Sequence, residues 1–269
     1  MSRSYMKAMS AGFLILAVAG VAIAETPTRI LFIGKEPDHP YGSHMYMHVG
    51  RVLAKCAELT PGVETVVSNG WPEDAAAIQG VNAIVVYTSP GAEFLLDSPH
   101  RAEFDKLMHS GAGLVTIHWA SAIRQQNFDR LGAVWLTHTG GTWISRVGLS
   151  EGKSLLTQLI PEHPICRGWE EYEFEDEYYL YPTIEKAKPL LQVTDPKSGQ
   201  EVYVGWVYER PGGGRTFSTT LGHPYANFQR EPFRRMLVNA ILWSAGEEVP
   251  EQGANVAVGE DVLALPPQD

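Results

Sequence analysis

The stretch Gly113-Leu114-Val115-Thr116-Ile117-His118-Trp119-Ala120 decides the predicted fold. Its first five residues form a continuous apolar and β-branched run, which is typical of a strand buried on both faces. Three similar runs precede it, at 29–34, 63–67 and 83–87. Apolar residues recur at a helical period between them, over 43–59 and 98–109. This alternation predicts an α/β protein with a mostly parallel sheet covered by helices on both faces.

The second half of the chain follows a different pattern. Two strand-like segments, 201–208 and 215–221, are joined by Pro211-Gly212-Gly213-Gly214, which indicates a hairpin turn. A final helix is predicted over 231–245, ended by Gly246. We therefore expect an antiparallel strand extension of the sheet in this half.

The two ends of the sequence differ from its centre. Residues 1–24 combine Arg3 and Lys7 with an apolar run and the small-x-small pattern Ala22-Ile23-Ala24, which predicts a signal peptide. The expected product is an exported, periplasmic or secreted protein without a membrane segment after cleavage; a retained N-terminal anchor is the alternative. One domain is expected over 25–246, and an extended or loosely packed tail over 247–269.

Charge and cysteine content restrict the function. The chain has 21 basic and 31 acidic side chains, without a basic cluster, which disfavours nucleic-acid binding. Its two cysteines, Cys56 and Cys166, could pair in an exported protein or serve as small core residues. The sequence does not decide between these two alternatives. It also leaves open whether the chain forms a homo-oligomer.

Polar residues that follow strands carry most of the functional signal, because ligands collect at the carboxyl ends of parallel strands. The loop 35–44 contains His39 and His44 among acids and a lysine, with Ser43 placed to cap the next helix. His118 stands at the strand-to-helix elbow, where it suits proton transfer, hydrogen bonding or metal ligation. A solvated loop and a buried structural histidine are the competing interpretations.

A third candidate region combines an acidic run with a distant histidine. Asp176 and Glu177 lie within Glu173-Phe174-Glu175-Asp176-Glu177-Tyr178-Tyr179, whose aromatic residues indicate that part of the run faces an interior. A carboxyl group beside aromatic rings can have its pKa raised toward neutrality and act as an acid or base. His223 follows a strand in Gly222-His223-Pro224.

These segments together resemble the trehalose-utilisation (ThuA-like) family. The matching pieces include Asp38-His39-Pro40 with Gly42-Ser43-His44, Trp71-Pro72, the segment 113–120, Gly140-Gly141-Thr142-Trp143, His163-Pro164-Ile165, Asp176-Glu177-Tyr178-Tyr179 and the segment from Gly214 to His223. They occur in the family's order over roughly 29–246. The resemblance implies a flavodoxin-like, class I glutamine amidotransferase-like three-layer fold whose elbow has lost the amidotransferase cysteine. Where other members read Gly-Glu-His, this chain has Ser43, which removes a carboxylate from the first loop.

The resemblance also implies a link to disaccharide use and 3-keto-glycosides, and our first hypothesis is a carbohydrate-related enzyme using His/carboxylate acid-base chemistry. His118 is the expected acid or base, with Glu177 or Asp176 as partner. The expected substrate-binding residues are His39, His44, Trp119, His138, Trp143, Tyr178 and His223. A divalent metal such as zinc could be held by His39, His118, His223 and Glu177.

Two other functional classes are weighed against this hypothesis. A non-catalytic periplasmic glycan-binding or accessory protein could use the same pocket for a carbohydrate ligand. A cysteine hydrolase or amidotransferase would need a thiol at the elbow, and Cys56 and Cys166 lie elsewhere in the sequence. The thiol mechanism is therefore rejected.

Overall fold

The structure is a computed structural model that describes residue 1 and residues 26–268. Its strands are β1 Thr28–Gly34, β2 Val63–Asn69, β3 Val81–Val86, β4 Gly113–Ile117, β5 Ala122–Ile123, β6 Gly141–Ile144, β7 Leu149–Gln158, β8 Tyr172–Tyr179, β9 Thr183–Ile184, β10 Lys188–Thr194, β11 Glu201–Glu209 and β12 Arg215–Thr219. Its α-helices are α1 Tyr46–Ala57, α2 Gly91–Leu96, α3 Arg101–His109, α4 Phe128–Thr139, α5 Tyr225–Phe228, α6 Glu231–Ala245 and α7 Glu260–Leu263.

A nine-stranded sheet in the order β2-β1-β3-β4-β12-β11-β10-β7-β8 forms the centre of the domain. The five strands from β2 to β12 in this order are mutually parallel, and the pairings from β12 to β8 are antiparallel. The predicted α/β fold with an antiparallel extension is therefore confirmed. A smaller sheet, β5-β6-β9, lies beside it.

Alternate side chains of the parallel strands pack against opposite helical layers. Ile30 and Phe32 of β1 share one buried cluster with α1 and α6, whereas Leu31 and Ile33 share another with α2, α3 and α4. This arrangement explains why each strand is apolar throughout rather than alternating. Both helical layers of the predicted three-layer fold are therefore present.

Two local predictions need correction. Ser43 does not cap α1: that helix begins at Tyr46, its N-cap position is Met45, and Ser43 instead bridges to Pro224. Cys56 and Cys166 are both buried free thiols, so they are not paired.

The C-terminal segment packs more closely than its prolines suggest. Val249, Ala254 and Val256 are buried within the cluster formed by α1 and α6, and the short helix α7 follows. The predicted signal peptide, residues 1–24, lies outside the described residues apart from Met1. Within the described part of the chain, no helix is long and apolar enough to cross a bilayer.

Candidate metal centre

The candidate site lies where the parallel strands end. β1 leads into the loop carrying His44, β4 leads directly into His118, and the loop after β12 carries His223. Because parallel strands end at one edge of the sheet, residues far apart in the sequence converge there. The predicted convergence of His44, His118 and His223 is present in the structure.

Three imidazole nitrogens face one another across this edge. His44 Nε2 lies 3.0 Å from His118 Nε2 and 3.1 Å from His223 Nδ1, and the third side of the triangle measures 3.4 Å. A tetrahedral zinc ion, with Zn–N distances of about 2.0–2.1 Å, holds its ligand nitrogens about 3.3 Å apart. The spacing of the three nitrogens therefore suits a small divalent cation.

Hydrogen bonds on the far sides of two rings determine which nitrogen carries the proton. His118 Nδ1 lies 2.8 Å from the Thr220 carbonyl oxygen, which can only accept, so Nδ1 is the donor. His44 Nδ1 lies 2.9 Å from Asp38 Oδ1 and donates to that carboxylate. Both Nε2 atoms are consequently lone-pair bearers, the form in which histidine binds metals.

Burial keeps these rings neutral. It lowers the pKa of His44 to about 4, and it lowers the pKa of His118 well below its ordinary value, with the neighbouring His44 adding to the effect. Burial also lowers the pKa of His223, assisted by His39. Because both rings donate through Nδ1, no proton lies between the two Nε2 atoms at 3.0 Å, and a cation beside them could accept both lone pairs.

The backbone at the elbow is held in an uncommon conformation. His118 has φ +55°, in the left-handed region that non-glycine residues rarely adopt, and its side chain is fully buried. Gly91 of α2 approaches the carbonyl of Ala120 so closely that a Cβ there would lie 2.1 Å from the oxygen. The elbow is thus shaped by a close helix contact, and such local strain is often found at functional sites.

Two further groups border the three nitrogens. Glu177 Oε1 lies 3.8 Å from His118 Nε2 and 4.0 Å from His223 Nδ1. Burial raises the pKa of Glu177, and Glu151 on the paired strand raises it further. The Tyr179 hydroxyl lies 3.0 Å from His118 Nε2. A carboxylate and a hydroxyl are therefore available to a ligand at this centre.

Asp176 has a different position from the one predicted. Its buried carboxylate accepts hydrogen bonds from the backbone N–H groups of Gly222 and His223 and from the Asn227 side chain. Burial raises its pKa to about 7 despite these hydrogen bonds. Asp176 therefore holds the loop that carries His223, and these contacts turn it away from the three nitrogens.

The remaining predicted residues divide into two groups. Trp119, Trp143 and His39 line a cavity of about 390 Å³ that also reaches His44, Glu177 and Tyr179. His39 Nδ1 contacts Asp38, and His44 rather than His39 completes the group of three nitrogens. His138 packs edge-on against Phe104, and the Tyr178 hydroxyl donates to the Gly152 carbonyl. Neither His138 nor Tyr178 lines the cavity.

Some residues of the site were not predicted from the sequence. Asp38 and Tyr46 orient His44, since the Tyr46 hydroxyl also donates to Asp38 Oδ1. Although burial raises the pKa of Asp38, hydrogen bonds from Lys35, His39, His44 and Tyr46 hold it well below its usual range. Asp38 belongs to the loop 35–44 that the sequence had singled out. Its contact with His44 could not be predicted, because a carboxylate and the histidine that it orients have no fixed spacing in sequence.

The fold defines the class: an α/β protein with a class I glutamine amidotransferase-like fold, in which His118 stands at the elbow after β4. A family model described as "ThuA: Trehalose utilisation" matches residues 34–244. The chain belongs to this family, which is associated with carbohydrate utilisation. Among curated proteins, none matches this chain.

Solved structures agree on the fold. A ThuA-like protein from Bacteroides uniformis ATCC 8492 is 16% identical, with a TM-score of 0.61 over 86% of this chain and 96% of the other. PurLQS from Thermotoga maritima is 14% identical, with a TM-score of 0.50 over 81% and 97% of the two chains. At such identities the likeness concerns the fold alone.

The predicted export is contradicted by two of these structural neighbours. Cytoplasmic protein STM3548 from Salmonella typhimurium is 15% identical, with a TM-score of 0.56 over 80% of this chain and 98% of the other. Cytoplasmic protein STM1381 from Salmonella typhimurium LT2 is 14% identical, with a TM-score of 0.58 over 81% and 99%. We therefore withdraw the exported, periplasmic or secreted location.

Proposed function

We propose that this chain is a metal-dependent enzyme acting on a carbonyl-bearing sugar such as a 3-keto-glycoside. His44, His118 and His223 hold a divalent metal such as zinc, and Glu177 moves the proton. The contact that carries the proposal is the 3.0 Å approach of two Nε2 atoms whose rings both donate through Nδ1. Three neutral histidines with an open fourth position are typical of catalytic zinc sites.

The second contacts of the histidines support this assignment. Metal-binding imidazoles usually donate their other N–H group to a carboxylate or a backbone carbonyl, which fixes the ring orientation. Asp38 fills that role for His44, and the Thr220 carbonyl fills it for His118. With both nitrogens occupied, His118 has no free position from which to act as a general base, so the proposal moves that role to Glu177.

The cavity walls suit a sugar ring. Trp143 stacks on Tyr179 with ring centroids 4.1 Å apart, and its indole N–H is already bound to the Leu180 carbonyl. Trp119, which is partly buried and packs against this cluster, presents the aromatic surface along which the apolar face of a pyranose can lie. Glu177, with 14% of its side chain exposed, lies between this wall and the histidines. Its raised pKa suits a group that both takes and returns a proton.

When bound, the metal would supply a Lewis acid that polarises a carbonyl oxygen or lowers the pKa of a water molecule. The chain's own residues would then divide the remaining work. The aromatic wall orients the ring, Tyr179 donates a hydrogen bond, and Glu177 abstracts or delivers a proton beside the ketone. Enolisation, hydration and elimination next to a ketone all need these elements.

The test is loss of the ketone from a panel of 3-keto-glycosides, followed with and without a chelator. We expect turnover that a chelator abolishes and that the Glu177→Gln variant lowers by about 10²-fold or more while retaining its metal. His138→Gln is the matched control, because His138 lies outside the cavity, and it should keep both metal and turnover. Carbohydrate binding without turnover of any panel member would contradict the enzyme and favour a glycan-binding protein.

A further inference from the structure

The cavity beside the three histidines has a charged outer wall in addition to its aromatic one. Arg124 and Arg146 line it, together with Gln126 and Ser145. The Arg124 guanidinium lies 5.9 Å from the ring centroid of Trp119, over the aromatic face. At about 390 Å³, the cavity falls in the size range of small-ligand sites.

Neither guanidinium is neutralised by a carboxylate within the described part of the chain. Several other arginines are paired in this way: Arg130 with Asp97, Arg101 with Asp105 and Arg235 with Glu231. The nearby carboxylate of Glu93 accepts from the Arg124 backbone N–H rather than from its side chain. In a chain with 31 acidic and 21 basic side chains, two such arginines at one cavity leave it locally positive.

The opposite side of Glu177 has the reverse charge. A groove of about 680 Å³ there is lined by five acidic and two basic side chains, so its balance is acidic: Glu151, Glu173, Glu175, Asp176 and Glu177 against Lys153 and Arg230. An anionic ligand would be repelled from that groove and attracted to the arginine-lined cavity. Among the described residues that line the cavity, Glu177 is the only carboxylate, and it lies at the histidine end.

The backbone at Arg146 has an uncommon conformation. Its φ is +78°, in the left-handed region that glycine favours, between β6 and β7. A residue that needs only to be polar and exposed could be glycine or asparagine at lower conformational cost. An arginine at this position carries a conformational cost that glycine would not, which supports a role for its side chain.

We propose that the substrate is an anionic sugar, whose carboxylate or phosphate group binds Arg124 and Arg146 while its ring lies along the aromatic wall. Guanidinium groups bind both kinds of anion through paired N–H donors. This inference rests on the proposed function in one respect, because the proposed function requires the reacting end of the sugar to point toward the three histidines. Arg124 and Arg146 are thereby specificity-determining residues.

The experiment is calorimetric titration of the full chain, at low ionic strength, with glucose, glucuronate and glucose 6-phosphate. We expect at least one anionic sugar to bind about tenfold or more tightly than glucose, as for a hydrogen-bonded charged group. Arg124→Gln and Arg146→Gln should each reduce this preference, and the double variant should abolish it. Arg130→Gln, which removes an exposed arginine paired with Asp97, is the matched control and should retain the preference.

The three ligands and the metal content of the same samples separate the outcomes. Tight binding of glucuronate alone identifies a sugar acid, and tight binding of glucose 6-phosphate alone identifies a sugar phosphate. Equal affinity for glucose, a preference that survives in the double variant, or no binding of any of the three overturns the proposal. Samples that hold no metal but still bind the anionic sugar more tightly than glucose would contradict the proposed function and leave this inference standing.

Discussion

Asp38 determines which nitrogen of His44 is available at the centre. Its carboxylate accepts from His44 Nδ1 and from the Tyr46 hydroxyl, and Lys35 Nζ lies 2.8 Å from its second oxygen. These contacts fix the ring and leave Nε2 free. In the proposed metal centre, the carboxylate would orient His44 without being a ligand itself.

Asp38→Asn should weaken divalent-metal affinity by about 10–100-fold, the usual effect of removing a carboxylate behind a metal-binding histidine. Competition with a chromophoric chelator measures this directly. Asp97→Asn, which alters an exposed carboxylate paired with Arg130, is the control and should bind metal as the parent does. Unchanged affinity in Asp38→Asn would show that His44 is not a ligand.

At the residue scale, the sequence predicted the polar groups better than their roles. His118 and His223 were found because they directly follow strands, and strand ends meet at one edge. His39 and His44 stand in the same loop, and nothing in a loop sequence states which ring turns inward. Asp176 and Glu177 are neighbours on a strand, so their side chains point to opposite faces, and only one can reach the cavity.

Among the elements, α2 has the closest contact with the elbow. Gly91 at its first turn packs against the Ala120 carbonyl and the ring of Trp135. A side chain there has no space, since the nearest atom belongs to the backbone. The distance between α2 and the turn that carries His118 is thus set by the absence of a Cβ.

Gly91→Ala should destabilise the fold by about 1–3 kcal/mol, since overpacking against backbone forces a shift of the helix or the elbow. Urea denaturation measures the change in the free energy of unfolding. Gly212→Ala is the control, because a Cβ at Gly212 meets no atom within 4 Å, and it should cost little. Equal stability of the two variants would contradict the close contact.

Elements with one strong periodicity were predicted well, and mixed ones were not. The continuous apolar run of β4 and the helical period of α6 match the structure residue for residue. β8 was missed as a strand because Asp176 stands at an inward position, so that three successive acids interrupt the alternation of aromatic and acidic residues and resemble a solvated run. The short helix α2 was also missed, since six residues are too few to show a helical period.

For the whole molecule, buried histidines outside the site connect stability to pH. Burial lowers the pKa of both His138 and His163 to about 4. In the unfolded chain these groups protonate near 6.5, so the unfolded state binds more protons between pH 6.5 and about 4. Their contribution to stability is present above pH 6.5 and is lost as the pH falls.

We expect each of these histidines to cost on the order of 1 kcal/mol of unfolding free energy between pH 7 and pH 5. Denaturation curves of the parent, His138→Gln and His163→Gln at both pH values give the free energy of unfolding. The parent should lose more of this free energy between pH 7 and pH 5 than either variant. Thr137→Ala, at an exposed position of α4, is the control, because it removes no titratable group and should leave the pH dependence unchanged. If the free energy of unfolding depends on pH equally in the parent and the variants, the conclusion that these rings are buried in their neutral form is wrong.

The most direct test of the account is the metal content of the full chain, purified without a histidine tag or chelator and then equilibrated with zinc, manganese or iron(II) and dialysed. We expect the chain to hold about one divalent ion firmly. Substitution of His44, His118 or His223 should abolish this binding, whereas substitution of His138 should leave it unchanged. A chain that retains none of these metals after equilibration, or that retains one equally well without His118, would contradict this expectation.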